Sequence, residues 1–161
     1  MNFVLDLDLT IWDTFDRHGN PIWAKQLIAP YYNDSHVVID DVGSRCVLRK
    51  GVKTFCNDVR KNKHELSFLS AGALHGVEKQ NQPSIKLLNI FGLWKCFNGC
   101  KILSYKTLNK AEALGQLSGK IIFFDDNPAV IESVGMLDHV TVVDSANLND
   151  WTNCFEDYQN G

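Results

Sequence analysis

The chain has 161 residues, of which 45% are hydrophobic and 22% charged, and its formal net charge is −3. This length and composition are typical of one globular domain and exclude a fibrous or disordered protein. No apolar run approaches the roughly 18 to 20 residues of a membrane span, and carboxylates interrupt the N-terminal segment where a signal peptide has an apolar core. We therefore expect a cytoplasmic protein without membrane contact. The acidic balance also makes a nucleic-acid partner an unfavoured hypothesis.

The five cysteines are odd in number and scattered along the chain. Only Cys96 and Cys100 are close in sequence, and no second Cys or His pair completes a four-coordinate zinc site. We expect free thiols in an ordinary core rather than a disulfide framework or a structural zinc.

The first part of the chain predicts a buried strand that ends on acidic residues, a long ordered loop with at most a short helix, a β-hairpin and an amphipathic helix. In that order, these elements cover residues 2–7, 12–35, 36–49 and 52–63. The helix follows from the spacing of Val52, Phe55, Cys56 and Val59, which places them on one helical face.

The second part alternates short apolar strands with helical patterns. The predicted strands are 65–69, 101–104, 121–124 and 140–143. Helical patterns follow them at about 83–96, over a third segment that carries Leu108, Ala111, Leu114 and Leu117, from Asn127 onward, and over 148–155. Asn127 is a good helix N-cap, and Pro128 stands where the first helical turn tolerates proline. This alternation predicts a three-layer α/β fold with a mostly parallel sheet in one domain, 1–161.

In such a fold, ligands bind beyond the carboxyl ends of the strands. The polar side chains next to those predicted ends are Asp6, Asp8 and Thr10, then Ser70, then Lys106, and finally Asp125 and Asp126. Carboxylates this close raise one another's pKa unless a cation lies between them, and a divalent ion with oxygen ligands, Mg²⁺ above all, fits best. A lysine and a hydroxyl on the same edge suit a phosphoryl group.

Three lysines compete for the phosphoryl-binding position. Lys101 starts the predicted strand at its far end, and Lys110 is expected a turn further into the helix. Lys106 is therefore the predicted residue.

These residues, in this order, resemble the four motifs of the haloacid dehalogenase superfamily. Within it, the segments DLDLTIW, LLNIFGLWKCF and IIFFDDNP are most similar to the capless magnesium-dependent phosphatases, which act on protein phosphotyrosine and on sugar phosphates. The resemblance covers nearly the whole chain. It implies a Rossmann-like fold and an enzyme that hydrolyses phosphomonoesters of small molecules or phosphoproteins.

The resemblance also implies a role for each motif residue. Asp6 would be the nucleophile that forms an aspartyl-phosphate, and Asp8 the general acid and base. Mg²⁺ would be held by Asp6, the backbone carbonyl of Asp8 and Asp126, with Asp125 beside it or as a further ligand. Ser70 and Lys106 would bind the phosphoryl oxygens, and Thr10 would support the loop that carries Asp8.

The sequence departs from the family after Ser70, where residues 71–74 offer no side-chain donors to a substrate. The segments between the motifs are also too short for a separate cap domain of about 50 residues or more, so we expect an open site. Its edge is predicted to carry Trp12, Phe15 and Trp23, which either stack on a substrate ring or pack the loop onto the domain.

Two other functions use similar residues. A phospho-accepting receiver module also groups acidic residues and a lysine, but in a different order along the chain. A polynucleotide 3′-phosphatase would use a locally basic stretch to bind its substrate, and such a run is more often a solvated face. That stretch contains Arg45, Arg49, Lys50, Lys53, Arg60, Lys61 and Lys63.

Overall fold

The computed structural model describes residues 1–160, which form ten strands and five helices. The strands are β1 Asn2–Leu5, β2 Trp12–Phe15, β3 Pro21–Ile22, β4 Tyr32–Asp34, β5 Val37–Ile39, β6 Arg45–Leu48, β7 Glu65–Ser70, β8 Lys101–Leu103, β9 Ile121–Asp125 and β10 Val140–Asp144. The helices are α1 Val52–Lys61, α2 Pro83–Ile90, α3 Lys110–Gly115, α4 Pro128–Val134 and α5 Cys154–Tyr158. None of the helices within residues 1–160 is long and apolar enough to cross a membrane.

The centre of the fold is a five-stranded sheet with the order β10-β9-β1-β7-β8, and all neighbouring strands in it are parallel. One face packs against the apolar side chains of α1, α2 and α5, and the other against those of α3 and α4. The predicted α/β fold with a parallel sheet between two helical layers is confirmed.

The sequence of β9 shows why its strand was predictable. Ile122 and Phe124 pack in the cluster on one face of the sheet, and Ile121 and Phe123 pack in the cluster on the other. A central parallel strand is covered on both faces, so it is a continuous apolar run rather than an alternating pattern. The run ends at Asp125, which is also buried.

The prediction of a long loop over 12–35 is wrong, because three strands and a 3-10 turn at Ala24–Gln26 lie there. They belong to a second, antiparallel sheet with the order β3-β2-β6-β5-β4. The predicted hairpin is confirmed as the pair β5 and β6, but it is only part of this sheet. Strands of two to four residues are too short to show a clear alternation, and β2 pairs with β6 about 30 residues further along the chain.

Arg49 connects the two sheets. Its Nε and Nη2 donate to the two carboxylate oxygens of Asp13 at 2.9 and 3.0 Å. Its Nη1 donates to the backbone oxygens of Ser145 at 2.6 Å and Leu148 at 3.2 Å, beyond the end of β10. Arg49 is only 8% exposed, so this member of the basic stretch is an internal ion-pair partner and not part of a solvated face.

Several helix ends differ from the predicted ones. Helix α2 ends at Ile90 and is followed by a separate 3-10 turn at Trp94–Cys96, and α5 is shorter than the predicted closing helix. The cap of α4 is as predicted, since the Asn127 side chain accepts a hydrogen bond from the Ala129 amide and Pro128 is the first helical residue.

All five cysteines are free thiols, as expected, and all but Cys100 are buried. Burial raises the pKa of Cys154 to about 12 and also raises the pKa of Cys56 well above the ordinary thiol value. These thiols are therefore unreactive core residues in the native protein.

Gly51 allows the close approach of α1 to the segment before α5. Its φ is +81°, and a Cβ there would overlap the backbone of Thr152 and lie 2.7 Å from the carbonyl carbon of Trp151. Gly19 has a similar φ of +86° but open space around it. The two glycines therefore separate the cost of a left-handed backbone from that of a steric overlap.

We predict that Gly51→Ala lowers the free energy of unfolding by about 3 kcal/mol or more. The added Cβ would force the contacting backbone apart and would also place an alanine in the left-handed conformation. The matched variant Gly19→Ala should cost only about 1 kcal/mol, the left-handed penalty of a residue with a Cβ. Urea denaturation followed by circular dichroism measures both. Equal losses in the two variants would show that the contact with Trp151 and Thr152 is not close.

Candidate active site

The register of the parallel sheet brings the predicted acidic residues to one edge. Leu5 at the end of β1 is opposite Phe68 in β7 and Phe124 in β9. The next residue, Asp6, continues this ladder, since its amide donates to the Phe124 carbonyl at 2.9 Å. Asp6 and Asp125 are therefore level with each other at the carboxyl edge of the sheet.

A buried lysine joins these two carboxylates. The Nζ of Lys110 lies 2.7 Å from Asp6 Oδ1 and 2.6 Å from Asp125 Oδ2. Burial by itself would lower the pKa of Lys110, but the charges of Asp6 and Asp125 outweigh it and leave the pKa raised. Lys110 therefore stays charged and neutralises part of the acidic cluster.

The lysine beside the acidic cluster is therefore Lys110, which corrects the prediction of Lys106. Helix α3 begins at Lys110 itself, because the side chain of Asn109 caps it by accepting a hydrogen bond from the Glu112 amide at 3.0 Å. The pattern of an Asn followed three residues later by a Glu is a sequence signal for a helix start, and it identifies Lys110 as the first helical residue. Lys106 lies in the loop before the helix and is exposed.

Asp8 is held through one carboxylate oxygen. Its Oδ1 accepts hydrogen bonds from Trp12 Nε1 at 2.9 Å and from the Ala24 amide at 3.2 Å. A Cβ at Gly72 would lie 3.0 Å from Oδ2, so the glycine leaves room for this oxygen beside Ser70. The chain turns sharply after Asp8, where Leu9 has a φ of +59°. The second oxygen of Asp8 is therefore free to act on a ligand.

Thr10 is fully buried, which places it behind the site rather than in contact with a substrate. Its hydroxyl oxygen lies 2.7 Å from the Ser145 hydroxyl oxygen, and it donates only a long hydrogen bond, of 3.5 Å, to Asp6 Oδ2. The expected support of the loop agrees with this position, but a direct substrate contact does not. Ser145 follows β10, and the rule that polar residues after parallel strands gather at one edge would have found it.

A cavity of about 540 Å³ opens at this edge, and its lining includes six of the seven predicted site residues. These are Asp6, Asp8, Ser70, Lys106, Asp125 and Asp126. The wall also contains residues that the sequence analysis did not assign to the site, notably Lys25, Tyr105 and Lys110.

The three aromatic residues expected at the edge have different positions. Trp23 lines the cavity and is 50% exposed. Trp12 is fully buried and binds Asp8, and Phe15 packs under the guanidinium of Arg45. Only Trp23 is therefore placed to touch a ligand.

The carboxylates of Asp6, Asp125 and Asp126 form a cluster in which one oxygen from each lies within 4.8 Å of the others. Burial raises the pKa of Asp6 to about 7, and the charges of Asp125 and Asp8 add to it although Lys110 opposes them. Burial also raises the pKa of Asp126, with a further contribution from Asp125. The cluster thus carries more negative charge than one lysine neutralises, and its oxygen donors fit a hard divalent cation such as Mg²⁺.

No protein-family model matches the chain, and no curated protein sequence matches it. Among solved structures, the chain is similar to a β-phosphoglucomutase from Clostridium difficile, with 20% sequence identity and a TM-score of 0.46. The similarity covers 71% of this chain and 57% of that protein, so the chain spans little more than half the length of the structure it matches. The resemblance to haloacid dehalogenases continues to depend on the motif residues themselves.

The raised pKa of Asp6 predicts how the metal-free protein responds to pH. An unfolded aspartate ionises near pH 3.8, whereas Asp6 ionises near pH 7, so folding stability is lost as pH rises between these values. Asp6→Asn cannot ionise and should have a higher melting temperature than the wild type in EDTA, by a margin that is larger at pH 8 than at pH 5. Differential scanning calorimetry measures this margin.

Asp41→Asn, at an exposed position outside the cavity, is the control and should show no such pH-dependent gain. Millimolar Mg²⁺ should reduce the advantage of Asp6→Asn at pH 8, because a bound cation stabilises the charged cluster of the wild type. An advantage that does not change between pH 5 and pH 8 would mean that Asp6 is not destabilised by its surroundings.

Proposed function

We propose that the protein is a Mg²⁺-dependent phosphomonoester phosphatase that acts through an aspartyl-phosphate on Asp6. The observation that supports this most is the pair of buried aspartates bridged by Lys110 at the base of a cavity, with Asp8 held beside them. A nucleophilic carboxylate, a second acid and a fixed cation are the groups that phosphoryl transfer needs. This agrees with the motif resemblance to the capless phosphatases.

Mg²⁺ would be held by Asp6 and Asp126, with Asp125 close by. Asp126 is half-buried and lines the cavity, whereas both oxygens of Asp125 have partners in Lys110 and in the Asn127 amide. When bound, Mg²⁺ would neutralise charge on the phosphoryl oxygens.

We assign the role of nucleophile to Asp6, the residue that the motif resemblance implies. Lys110 donates a hydrogen bond to Asp6 Oδ1, while Asp6 Oδ2 accepts only the long hydrogen bond of 3.5 Å from Thr10 among the described residues. Attack by Asp6 on phosphorus forms an Asp6–phosphorus bond as the bond to the leaving oxygen breaks. Lys110 and Ser70 would stabilise the charge of the transferring group.

Asp8 would act twice. It gives its proton to the departing oxygen in the first step, and in the second it takes a proton from the water that breaks the Asp6–phosphorus bond and releases phosphate. Its hydrogen bonds from Trp12 and Ala24 fix one oxygen, and so direct the other toward the substrate.

The substrate classes that we propose are phosphoproteins, including phosphotyrosine, and sugar phosphates. Trp23 and Tyr105 are each about half exposed at the cavity, at 50% and 51%, and offer flat surfaces to an aromatic or sugar ring. A cytoplasmic location and the absence of a nucleic-acid substrate remain predictions from the sequence.

Hydrolysis of p-nitrophenyl phosphate by the purified protein tests the proposed function. We expect turnover that requires Mg²⁺, is lost in EDTA, and falls at least about 10³-fold in Asp6→Asn because the nucleophile is gone. The variant Asp41→Asn should retain wild-type activity. Turnover that survives in Asp6→Asn would contradict the mechanism, and a stable aspartyl-phosphate without turnover would instead indicate a phospho-accepting module.

The hydrogen bond from Trp12 to Asp8 predicts that Trp12→Phe lowers kcat most for substrates with a poor leaving group. The variant keeps an aromatic ring but removes the N–H that holds Asp8, so protonation of a poor leaving group should suffer most. We expect kcat for glycerol 2-phosphate to fall about tenfold more than kcat for p-nitrophenyl phosphate, whose leaving group needs little protonation.

Trp151→Phe is the matched control for this experiment. Trp151 is also fully buried, but its indole nitrogen has no hydrogen-bond partner among the described residues. Trp151→Phe should leave the ratio of the two kcat values unchanged, even if this variant is less stable than the wild type. A uniform decrease for both substrates in Trp12→Phe would show that the tryptophan acts only through packing.

A further inference from the structure

The cavity has two rim lysines that the proposed mechanism does not use. Lys25 belongs to the 3-10 turn between β3 and β4, and Lys106 to the loop between β8 and α3. The two lysines therefore follow strands of different sheets but line the same cavity. Lys25 comes two residues after the exposed ring of Trp23, and Lys106 directly follows the exposed ring of Tyr105.

Neither lysine forms an ion pair with a carboxylate. Within residues 1–160 the ion pairs that lysines form are those of Lys50 with Asp150 and of Lys110 with Asp6 and Asp125. Lys106 instead has its Nζ 5.5 Å from the centre of the Tyr105 ring, and Lys25 is half-buried. Both ammonium groups are therefore available to a ligand in the cavity.

The cavity is larger than a phosphoryl group requires. A water-sized group takes about 30 Å³, so the four oxygens of a phosphate fill only a fraction of 540 Å³. The phosphoryl end is already defined by Asp6, Lys110 and Ser70. The leaving group would lie in the remaining space of the cavity, which Lys25 and Lys106 also line.

We propose that Lys25 and Lys106 form a subsite for a second anionic group, so that the preferred substrates are phosphomonoesters whose leaving group carries a carboxylate or another phosphate. This rests on the proposed phosphatase function and names its substrate class. Four aspartates line the cavity and repel a doubly anionic substrate, so acceptance of one requires cations near its second charge. The two lysines that line the cavity supply these cations.

The test compares 3-phosphoglycerate with glycerol 3-phosphate, which differ only in a carboxylate in place of a hydroxymethyl group. We expect the wild type with Mg²⁺ to have a kcat/KM at least tenfold higher for 3-phosphoglycerate. Lys25→Met and Lys106→Met should each reduce this ratio about fivefold or more, and the double variant should abolish or reverse it because no lysine then remains near the second charge of the substrate. Lys25→Arg should retain most of the preference, since it keeps the charge.

Lys53→Met is the matched control, because Lys53 is an exposed lysine on α1 and should leave the ratio unchanged. If the wild type hydrolyses p-nitrophenyl phosphate but has the same kcat/KM for 3-phosphoglycerate and glycerol 3-phosphate, the subsite alone is overturned. Equal losses for both substrates in the lysine variants would do the same, since the lysines would then act on the phosphoryl group. Absence of any Mg²⁺-dependent turnover would overturn the phosphatase proposal itself.

Discussion

The ion pairs of Lys110 with Asp6 and Asp125 are the constraint on which the site depends. Two carboxylates in adjacent buried positions repel each other, and removal from water makes their charges costly. Lys110 offsets part of this cost from the first turn of α3, which lies on the opposite side of the sheet from α1 and α5. The raised pKa of Asp6 shows that the compensation is incomplete. The fold thus maintains a cluster that a divalent cation and a phosphoryl group can complete.

The antiparallel sheet contributes to this site as much as the parallel one. Trp12 begins β2 and the Ala24 amide opens the following 3-10 turn, and both donate to Asp8. Arg49 connects the same sheet to the segment after β10, where the Ser145 hydroxyl meets Thr10. The segment between the first two motifs is therefore a support for the proposed general acid, and through Trp23 and Lys25 it also forms one wall of the cavity.

The sequence predictions that differ from the structure do so for different physical reasons. Lys106 was preferred because the start of α3 was placed too early, although the Asn109 and Glu112 pattern marks Asn109 as the N-cap and Lys110 as the first helical residue. The loop predicted for 12–35 contains strands that pair with residues distant in sequence, and no local pattern reports such pairing. For Trp12 the sequence left stacking on a substrate and packing of the loop as alternatives, and its burial, with the indole N–H donated to Asp8, decides for packing.

The sequence by itself determined the parallel sheet, its principal strands and the acidic residues that follow them, because buried strands are continuous apolar runs and their polar ends stand out against them. It also determined the capped start of α4 and the absence of a disulfide framework. Only the tertiary structure decided which lysine meets Asp6, how Asp8 is oriented and which side chains line the cavity. Those contacts join residues up to 104 positions apart, and their distances follow from strand register and helix placement rather than from any local pattern.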